Sequence, residues 1–216
     1  MVYETALLAN GEVVVGIDEV GRGALAGPLV VGAVALSELR VPPGGLNDSK
    51  LLTSKQRDAL VGPLEDWATE FALGWASAEE IDSWGIRVSL AVAATRAIDQ
   101  MAVRPTHALI DGSFNLLRAP LDVPMGSASP PPFTYAELRS TIIVKGDQRS
   151  ATIAAASVLA KVQRDRYMRE IAIGYEDFGW AQNKGYGAAG HMEAIRRLGP
   201  CLHHRRSWKL PVSSDI

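Results

Sequence analysis

Short apolar runs rich in β-branched residues alternate along this chain with longer stretches in which apolar residues recur at helical spacing. Five of the runs predict strands, because glycine, proline or polar turn residues bound them. They cover residues 12–18, 27–36, 69–77, 107–113 and 140–147. Strands interleaved with helices predict an α/β or mixed α+β fold in which the helices cover the sheet.

Four of the longer stretches predict helices. The first begins near Thr53 or Ser54, either of which is a suitable N-cap. The second covers about 87–103 and ends before an Arg-Pro pair. Small residues fill the third, 150–173, and suit close packing on a sheet, and a shorter helix covers 190–199.

Length and composition fit a single globular domain. The 216 residues are 47% apolar and 21% charged, which allows a sizeable core. Residues 118–137, rich in proline, serine and glycine, predict an exposed loop or insertion. The single cysteine, Cys201, excludes an intramolecular disulfide and a cysteine zinc cluster. Because neither a signal-peptide pattern nor an apolar run of about 18 residues is present, we expect a cytoplasmic protein with no membrane partner.

Charge is unevenly distributed. The formal net charge of −2 excludes a uniformly basic nucleic-acid-binding protein but not a local basic patch. Residues 1–160 hold 12 basic and 18 acidic side chains, whereas residues 161–216 hold 10 basic and 6 acidic ones and three of the four histidines. The second part is either a basic platform for a polyanion or a chance imbalance over a short window.

Acidic residues come at the ends of three predicted strands, at Asp18-Glu19, Asp111 and Asp147. Adjacent strands lie about 5 Å apart, so carboxylates at neighbouring strand ends can converge. Four clustered carboxylates cannot all stay ionised without a cation, and oxygen ligands suit Mg²⁺ or Mn²⁺. Two such ions would suit in-line displacement at a phosphodiester. The alternative for any single acid is structural, since Asp also favours turns and helix caps.

The segment GRGALA, residues 21–26, matches the spacing of the dinucleotide-binding pattern G-x-G-x-x-G/A. A dinucleotide site needs a helix after this turn, because the helix N-terminus holds the phosphates. The residues that follow, 27–36, predict a strand instead. A nucleotide-cofactor oxidoreductase is therefore the less favoured alternative.

Six segments in this order resemble prokaryotic ribonuclease HII, the type 2 ribonuclease H: GIDEVGRGALAGPLVVGAV, LNDSK, IDGS, VKGD, IAAASVLAKVQRDRYM and NKGYG with a later histidine. They lie within residues 12–209, nearly the whole chain. The resemblance implies an α/β, ribonuclease H-like fold: a five-stranded mixed β-sheet flanked by helices, with a helical C-terminal extension. It implies one domain, 1–216, with a catalytic core over about 1–175 and a substrate-binding extension over about 176–216.

The resemblance also implies an activity. Ribonucleases of this family are metal-dependent endonucleases that hydrolyse RNA in RNA–DNA hybrids, including single ribonucleotides embedded in duplex DNA. They cut on the 5′ side of the ribonucleotide, leave a 3′-hydroxyl and a 5′-phosphate, and remove ribonucleotides from DNA. We therefore expect a monomeric protein with Mn²⁺ or Mg²⁺ as cofactor, two ions acting during catalysis. A catalytically silent hybrid-binding module is the alternative, and it predicts the loss of a carboxylate.

The family's motifs fall on specific residues of this chain. They imply four catalytic, metal-binding carboxylates: Asp18, Glu19, Asp111 and Asp147. They imply substrate-binding residues at Gly21, Arg22, Gly23, Tyr186, Ser49, Lys50 and Lys145. In the family the glycine-arginine-glycine turn contacts the 2′-hydroxyl and the adjacent phosphate, and the tyrosine stacks on the sugar that follows the ribonucleotide.

Smaller features leave alternatives open. Ser157, Lys161 and Asp165 are spaced to share one helix face, where they support the active site or where Lys161 and Asp165 form an ordinary ion pair. The three histidines near the C-terminus could touch phosphate, but their spacing does not predict a zinc site. Val20, Ala24 and Ser113 depart from the family's usual alanine, proline and asparagine, and none of these changes removes a metal ligand.

Overall fold

The computed structural model describes residues 1–118, 129–132 and 135–212. Its centre is one mixed sheet of five strands, in the order β3-β2-β1-β4-β5. The strands are β1 (Val14–Val20), β2 (Leu29–Leu36), β3 (Glu70–Ala76), β4 (His107–Asp111) and β5 (Arg139–Ile143). Strands β1, β2 and β3 pair antiparallel, whereas β4 pairs parallel with both β1 and β5. The five predicted strands and the mixed sheet are confirmed.

Within these described residues, six α-helices flank the sheet or follow it. They are α1 (Val2–Ala9), α2 (Ser54–Trp67), α3 (Ala78–Asp99), α4 (Ala151–Glu170), α5 (Trp180–Asn183) and α6 (Ala189–Leu198). Three 3-10 turns are found in the same residues, Ser49–Leu51 before α2, Gly146–Gln148 before α4 and Glu176–Phe178 before α5. None of the helices in the described part of the chain is long and apolar enough to cross a membrane.

One helix boundary predicted from the sequence is confirmed, and another is wrong. Thr53 caps α2 as predicted, because its side chain accepts a hydrogen bond from the Gln56 amide while the Gln56 side chain binds the Thr53 backbone. The predicted start of the second helix at residue 87 was wrong. Helix α3 begins at Ala78 behind a similar capping box, and Gly85, at φ 76°, kinks it and interrupts the apolar spacing. The predicted 118–137 loop lies largely outside the described residues.

Helix α4 packs on the sheet at backbone distance, as its small residues predicted. A Cβ added to Gly16 of β1 would lie 2.3 Å from the backbone carbonyl carbon of Thr152, and one added to Gly32 of β2 would lie 2.5 Å from the carbonyl oxygen of Ala156. Helix α3 covers the opposite face over Val15, Ile17 and other small apolar residues. The close approach of α4 brings its polar residues to the edge of β1 where the acidic residues lie.

Helix α1 was not predicted, and one side chain explains its position. Glu4 is fully buried, and its Oε1 accepts hydrogen bonds from the Ser150 hydroxyl at 2.6 Å and from the Thr152 amide at 3.0 Å. The carboxylate therefore caps the N-terminus of α4, where the helix dipole favours negative charge.

Candidate metal and substrate site

The acidic residues come from two neighbouring strands and one turn. Ile17 of β1 pairs with Ile110 of β4, so Asp18 and Asp111 follow paired residues on parallel strands. Asp147 lies in the 3-10 turn between β5 and α4. Carboxylate oxygens of these three residues all lie within 4.8 Å of one another. The expectation that the acids would stand at strand ends is correct only for Asp111: β1 continues past Asp18, and Asp147 comes after β5 has ended.

Burial and mutual repulsion make this cluster electrostatically unfavourable without a cation. Asp18 is 4% exposed, and its burial, with the charges of Glu19 and Asp111, raises its pKa to about 8. Burial likewise raises the pKa of Glu19, to which Asp111 adds. Burial also raises the pKa of Asp147, with further contributions from Asp111 and Asp48. All three shifts favour the protonated acid, which is the response of carboxylates that lack a counter-charge.

Few donors face the cluster. The Glu19 amide donates to Asp18 Oδ1 at 2.8 Å, and the Gly146 amide donates to Asp111 Oδ1 at 2.6 Å. Lys50 Nζ lies 3.6 Å from Asp147 Oδ2. Burial alone would lower the pKa of Lys50, but the surrounding carboxylates, led by Asp18 and Asp147, raise it. One ammonium group does not neutralise three carboxylates, and the remaining oxygens suit a hard divalent cation.

A cavity of about 430 Å³ opens beside the cluster. Its lining contains nearly all of the site residues predicted from the sequence, together with residues of α4: Asp18, Glu19, Val20, Gly21, Arg22, Gly23, Ser49, Lys50, Asp111, Ser157, Lys161 and Tyr186. Asp147 is not part of this lining. It is 4% exposed, and its Oδ2 lies 3.6 Å from Nζ of Lys50, which does line the cavity.

Two predicted residues behave differently from the rest. Glu19 lines the cavity but is not one of the three converging acids, and Arg22 Nη1 lies 3.5 Å from its Oε1. Lys145 does not line the cavity. It is exposed at φ 55° at the start of the turn that carries Asp147, and its role as a substrate contact stays a prediction.

The spacing of polar residues on helix α4 left two arrangements open, an ion pair or side chains at the candidate site, and the structure contains both. Lys161 pairs with Asp165 at 2.7 Å, as an ordinary ion pair would. Lys161 also lines the cavity, with its Nζ 5.8 Å from the centre of the Tyr186 ring. Ser157 Oγ lies 2.8 Å from Ser49 Oγ, so the helix binds the turn that carries Lys50.

Sequence reasoning missed Asp48. It is 5% exposed, accepts a hydrogen bond from the Lys50 amide at 2.8 Å and another from Gln148 Nε2 at 3.3 Å. The carboxylate thereby caps the Ser49–Leu51 turn and joins it to the turn of Asp147. The signal was available, because Asp is a preferred N-cap residue directly before a helical turn.

Sequence reasoning also missed two fully buried arginines behind the Gly21–Gly23 turn. Arg205 donates to the carbonyl oxygens of Gly21 at 2.6 Å and of Arg22 at 2.8 Å, and Arg164 donates to that of Pro28 at 2.8 Å. The peptide bonds are trans, so each N–H points away from its own carbonyl. Arg205 therefore fixes the two carbonyls, and the amides of Arg22 and Gly23 point away from it.

The turn of Tyr186 is fastened to the same loop. The Leu25 amide donates to the carbonyl oxygen of Gly185 at 2.8 Å, and the guanidinium of Arg164 lies 5.4 Å from the centre of the Tyr186 ring. The half-buried Tyr186 thus lines the same cavity as Asp18 and Asp111, although it lies far from them in sequence.

Comparison with known proteins agrees with this geometry. The family model described as ribonuclease HII matches residues 15–211. A ribonuclease HII of Streptomyces coelicolor is 46% identical over 199 residues, which cover 92% of this chain and 78% of that protein. Among solved structures, ribonuclease H2 from Pyrococcus horikoshii has a TM-score of 0.66 at 26% identity, covering 92% of this chain and 95% of its own. The ribonuclease HII of Archaeoglobus fulgidus, solved in complex with PCNA, has a TM-score of 0.69 at 26% identity, covering 91% and 93%.

Proposed function

Because this chain belongs to the ribonuclease HII family, the endoribonucleases that act on RNA–DNA hybrids, we propose that it cuts on the 5′ side of ribonucleotides and leaves a 3′-hydroxyl and a 5′-phosphate. Its substrates include single ribonucleotides embedded in duplex DNA, and its role is to remove them. The observation that carries the proposal is the convergence of Asp18, Asp111 and Asp147 beside a cavity that the Gly21–Gly23 turn also lines.

The donor set fits Mn²⁺ or Mg²⁺. Three clustered carboxylates, two of them buried, supply the oxygen ligands that these ions prefer, and Glu19 lies beside them on the cavity wall. When bound, a pair of such ions activates water and stabilises the leaving oxygen of a phosphodiester. The chain's own acids would hold and orient the ions, and Lys50, which lies against Asp147, would add a further positive charge near the phosphate.

The Gly21–Gly23 turn is proposed to recognise the ribose. Since Arg205 fixes the carbonyls of Gly21 and Arg22, the amides of Arg22 and Gly23 face away from it and would donate to a 2′-hydroxyl or a phosphate oxygen. The 2′-hydroxyl is the group that distinguishes RNA from DNA at a single nucleotide. Preoriented amide donors of this kind require no rearrangement when substrate binds.

The two glycines of this turn are expected to have different roles. Gly21 has φ 83°, and a Cβ there would lie 2.1 Å from Arg164 Nε, so the fold itself requires glycine. A Cβ at Gly23 would meet no atom within 4 Å in the described part of the chain, and its φ is not left-handed. The protein's packing does not demand glycine at this second position, and the open space there is proposed to admit the substrate backbone.

Substitution of each glycine by alanine tests this division. Gly21→Ala should lower the melting temperature, because both the positive φ and the contact with Arg164 oppose a side chain. Gly23→Ala should leave the melting temperature unchanged and raise KM for a duplex with one ribonucleotide. Unchanged KM and kcat in a folded Gly23→Ala variant would contradict direct contact between this glycine and the substrate.

Tyr186 and the C-terminal extension are proposed to complete the substrate site. Tyr186 would stack on the sugar after the ribonucleotide, held from behind by Arg164. In Tyr186→Ala the cut at a single embedded ribonucleotide should slow more than in Tyr186→Phe, which keeps the ring. Equal rates for wild type and Tyr186→Ala would contradict the proposed stacking of Tyr186 on the sugar.

One experiment tests the reaction class and the substrate together. The purified chain is incubated with a duplex containing one ribonucleotide, in Mg²⁺, Mn²⁺ or EDTA, beside an all-DNA duplex of the same sequence. We expect a single cut on the 5′ side of the ribonucleotide with either ion, a 3′-hydroxyl product that a DNA polymerase extends, and no cut in EDTA or in the all-DNA duplex. Cutting in EDTA, or cutting on the 3′ side, would contradict the proposal.

A further inference from the structure

A second cavity, of about 410 Å³, adjoins the first one. The two cavities share Lys161 and Tyr186 in their linings. We call the second cavity the basic groove and define it by four cationic side chains and one acid, Arg57, Lys161, Arg169, Lys184 and Asp165. It brings together the N-terminal part of α2, one face of α4 and the turn after α5.

The charges of the basic groove are not balanced within the protein. Asp165 is its one acidic member and is already paired with Lys161 at 2.7 Å. Neither Arg57, Arg169 nor Lys184 forms an ion pair within the part of the chain that the structure describes. Burial lowers the pKa of Lys184; Asp165 opposes this, and the positive charges of Arg169 and Lys161 add to it. Cations that repel one another in an open groove are stabilised by an anionic ligand.

Local structure holds these cations in place. Arg57 Nη1 donates to the carbonyl oxygen of Ser49 at 2.8 Å, which joins the groove to the turn that carries Lys50. Lys184 has a left-handed backbone, φ 54°, in the turn that ends at Tyr186, and its Nζ contacts the carbonyl oxygen of Ala181. A lysine in this conformation is uncommon, because side chains other than glycine, asparagine and aspartate rarely adopt it.

We propose that the basic groove binds the phosphodiester backbone of the substrate duplex beyond the scissile phosphate. This inference rests on the proposed function for the identity of the duplex, and on the continuity and charge of the two cavities for the path. A row of phosphates matches three uncompensated cations, whereas a protein partner would have to be acidic and reach the same wall as the substrate. Contacts to phosphate add affinity without reading sequence.

Binding of an all-DNA duplex tests the groove independently of cleavage. The variants are Arg169→Gln, an exposed position, and Lys184→Asn, because asparagine tolerates the left-handed backbone. The control is Arg166→Gln, on the same helix but outside the groove, where the arginine pairs with Asp58 at 3.4 Å. Fluorescence anisotropy gives Kd against salt concentration for a long duplex and for one too short to fill both cavities.

Each groove variant should weaken binding of the long duplex, the pair by roughly one order of magnitude. The slope of log K against log salt should fall by about 0.9 for each phosphate that the variant no longer neutralises. Binding of the short duplex, and all binding by Arg166→Gln, should stay unchanged. Equal affinity and equal salt slope for the long duplex in folded Arg169→Gln would overturn the proposal. Inorganic phosphate is the second probe. If the groove variants bind it more weakly than wild type does while their duplex affinity is unchanged, the groove is a site for a free anion and the proposal is overturned.

A second measurement locates the contact on the substrate. Single methylphosphonate linkages, which remove one phosphate charge, are scanned along a duplex with one ribonucleotide, and kcat/KM is measured for wild type and for Arg169→Gln. We expect at least one position at which the neutral linkage slows the wild type and has a smaller effect on the variant. Equal effects in both proteins at every position would overturn the proposal. If no duplex is cleaved, the proposed function fails, and the binding measurement still decides the groove.

Discussion

Two groups of largely buried titratable side chains differ in their surroundings. The carboxylates of one group repel one another, whereas the imidazoles of the other are hydrogen-bonded to their neighbours. Beside the first cavity, Asp18, Asp111 and Asp147 lie close together with few donors, and the pKa of Asp18 rises to about 8, first through burial and then through neighbouring carboxylates. In the C-terminal part, His191 and His204 are each 1% exposed and lie among aromatic rings. Every nitrogen of these two imidazoles has a hydrogen-bond partner.

The hydrogen bonds of the histidine pair fit one set of neutral tautomers. His191 Nδ1 donates to the carbonyl oxygen of Tyr186 at 2.8 Å, so its Nε2 accepts from Trp180 Nε1 at 3.0 Å and from His204 Nε2 at 3.1 Å. The other nitrogen of His204 accepts from the Cys201 amide at 3.0 Å. Burial lowers the pKa of both imidazoles, that of His204 to about 4 with a contribution from His191.

The difference separates a binding site from a structural core. Groups that satisfy one another need no ligand, and the expectation that these two histidines could touch phosphate was wrong, because neither reaches solvent. Groups that repel one another beside an open cavity are stabilised by a cation. Substitutions in the carboxylate cluster should therefore lower activity without lowering stability. Substitutions in the histidine pair should lower stability and leave activity nearly unchanged.

The largest expected effect is on turnover in Asp18→Asn. The amide cannot supply the charge that a divalent cation needs, so cleavage of a duplex with one ribonucleotide should fall by on the order of 10³-fold or more. The melting temperature without metal should be equal to or above that of wild type, because the substitution removes the cost of keeping this buried carboxyl group either charged or protonated. Steady-state cleavage and thermal unfolding in EDTA measure the two quantities.

Asp58→Asn is the matched control for this substitution. Asp58 is an exposed carboxylate of α2 whose ion pair with Arg166 lies at the surface, so its loss should change neither quantity measurably. Wild-type turnover by Asp18→Asn would remove Asp18 from the catalytic carboxylates. A strongly lowered melting temperature would show instead that the cluster supports the fold.

The sequence predicted the features that depend on the local pattern of apolar and polar residues. Apolar runs located five strands, and the strand after Gly21–Gly23 excluded a dinucleotide site because β2 continues antiparallel to β1. The acids were visible because they follow such runs. The resemblance to a family then supplied roles that spacing alone left open.

The parts that the sequence did not predict depend on contacts between distant segments. Arg205 acts on carbonyls of Gly21 and Arg22, more than 180 residues earlier, and nothing in its neighbourhood marks it apart from other arginines. The partners of His191 come from a loop, a short helix and a C-terminal turn. Helix α1 is held by hydrogen bonds of the buried Glu4 to Ser150 and Thr152, which a pattern of apolar residues does not reveal.

The next largest effect is on stability in His191→Leu. Leucine has a similar size but leaves the Trp180 indole N–H and the His204 Nε2–H without their present acceptor, whereas the Tyr186 carbonyl keeps the Ala188 amide as a donor. Buried groups left unpaired cost about 1–3 kcal/mol each, and relaxation reduces the sum, so the free energy of unfolding should fall by about 3 kcal/mol. Denaturant unfolding measures this, and a kcat within about threefold of wild type at a permissive temperature completes the contrast.

A stability equal to that of wild type in His191→Leu would show that the histidine pair is not a structural core. A kcat reduced as far as in Asp18→Asn, at unchanged stability, would place His191 in the active site through its bond to Tyr186. Either result would break the comparison between the two clusters.

Added Mn²⁺ should have a somewhat smaller effect, and only through the carboxylates. An ion that binds the folded chain alone stabilises it by about 2.7 kcal/mol at 100 times its Kd. The melting temperature of wild type and of His191→Leu should therefore rise with Mn²⁺, whereas that of Asp18→Asn should rise much less. An equal rise in all three proteins would mean that the ion binds elsewhere.

The smallest effect is on the pH dependence of stability in EDTA, where the two clusters should act with opposite sign. The pKa of Asp18 is higher in the folded chain, about 8, than its ordinary value of 3.8, so the folded state binds the extra proton and stability falls as pH rises through this interval. The pKa of His204 is lower in the folded chain, about 4, than its ordinary 6.5, so stability falls as pH drops from 6.5 toward 4.

Each group can contribute a slope of at most about 1.4 kcal/mol per pH unit, and the two slopes oppose each other where their intervals overlap. Of these two groups only Asp18 titrates above pH 6.5, so Asp18→Asn should flatten the decline of wild type between pH 6.5 and 8. Below pH 6.5, His204→Gln should be less sensitive to acid than wild type. Parallel stability curves for wild type and Asp18→Asn above pH 6.5 would show that the carboxylates are already relieved of their mutual repulsion without a metal.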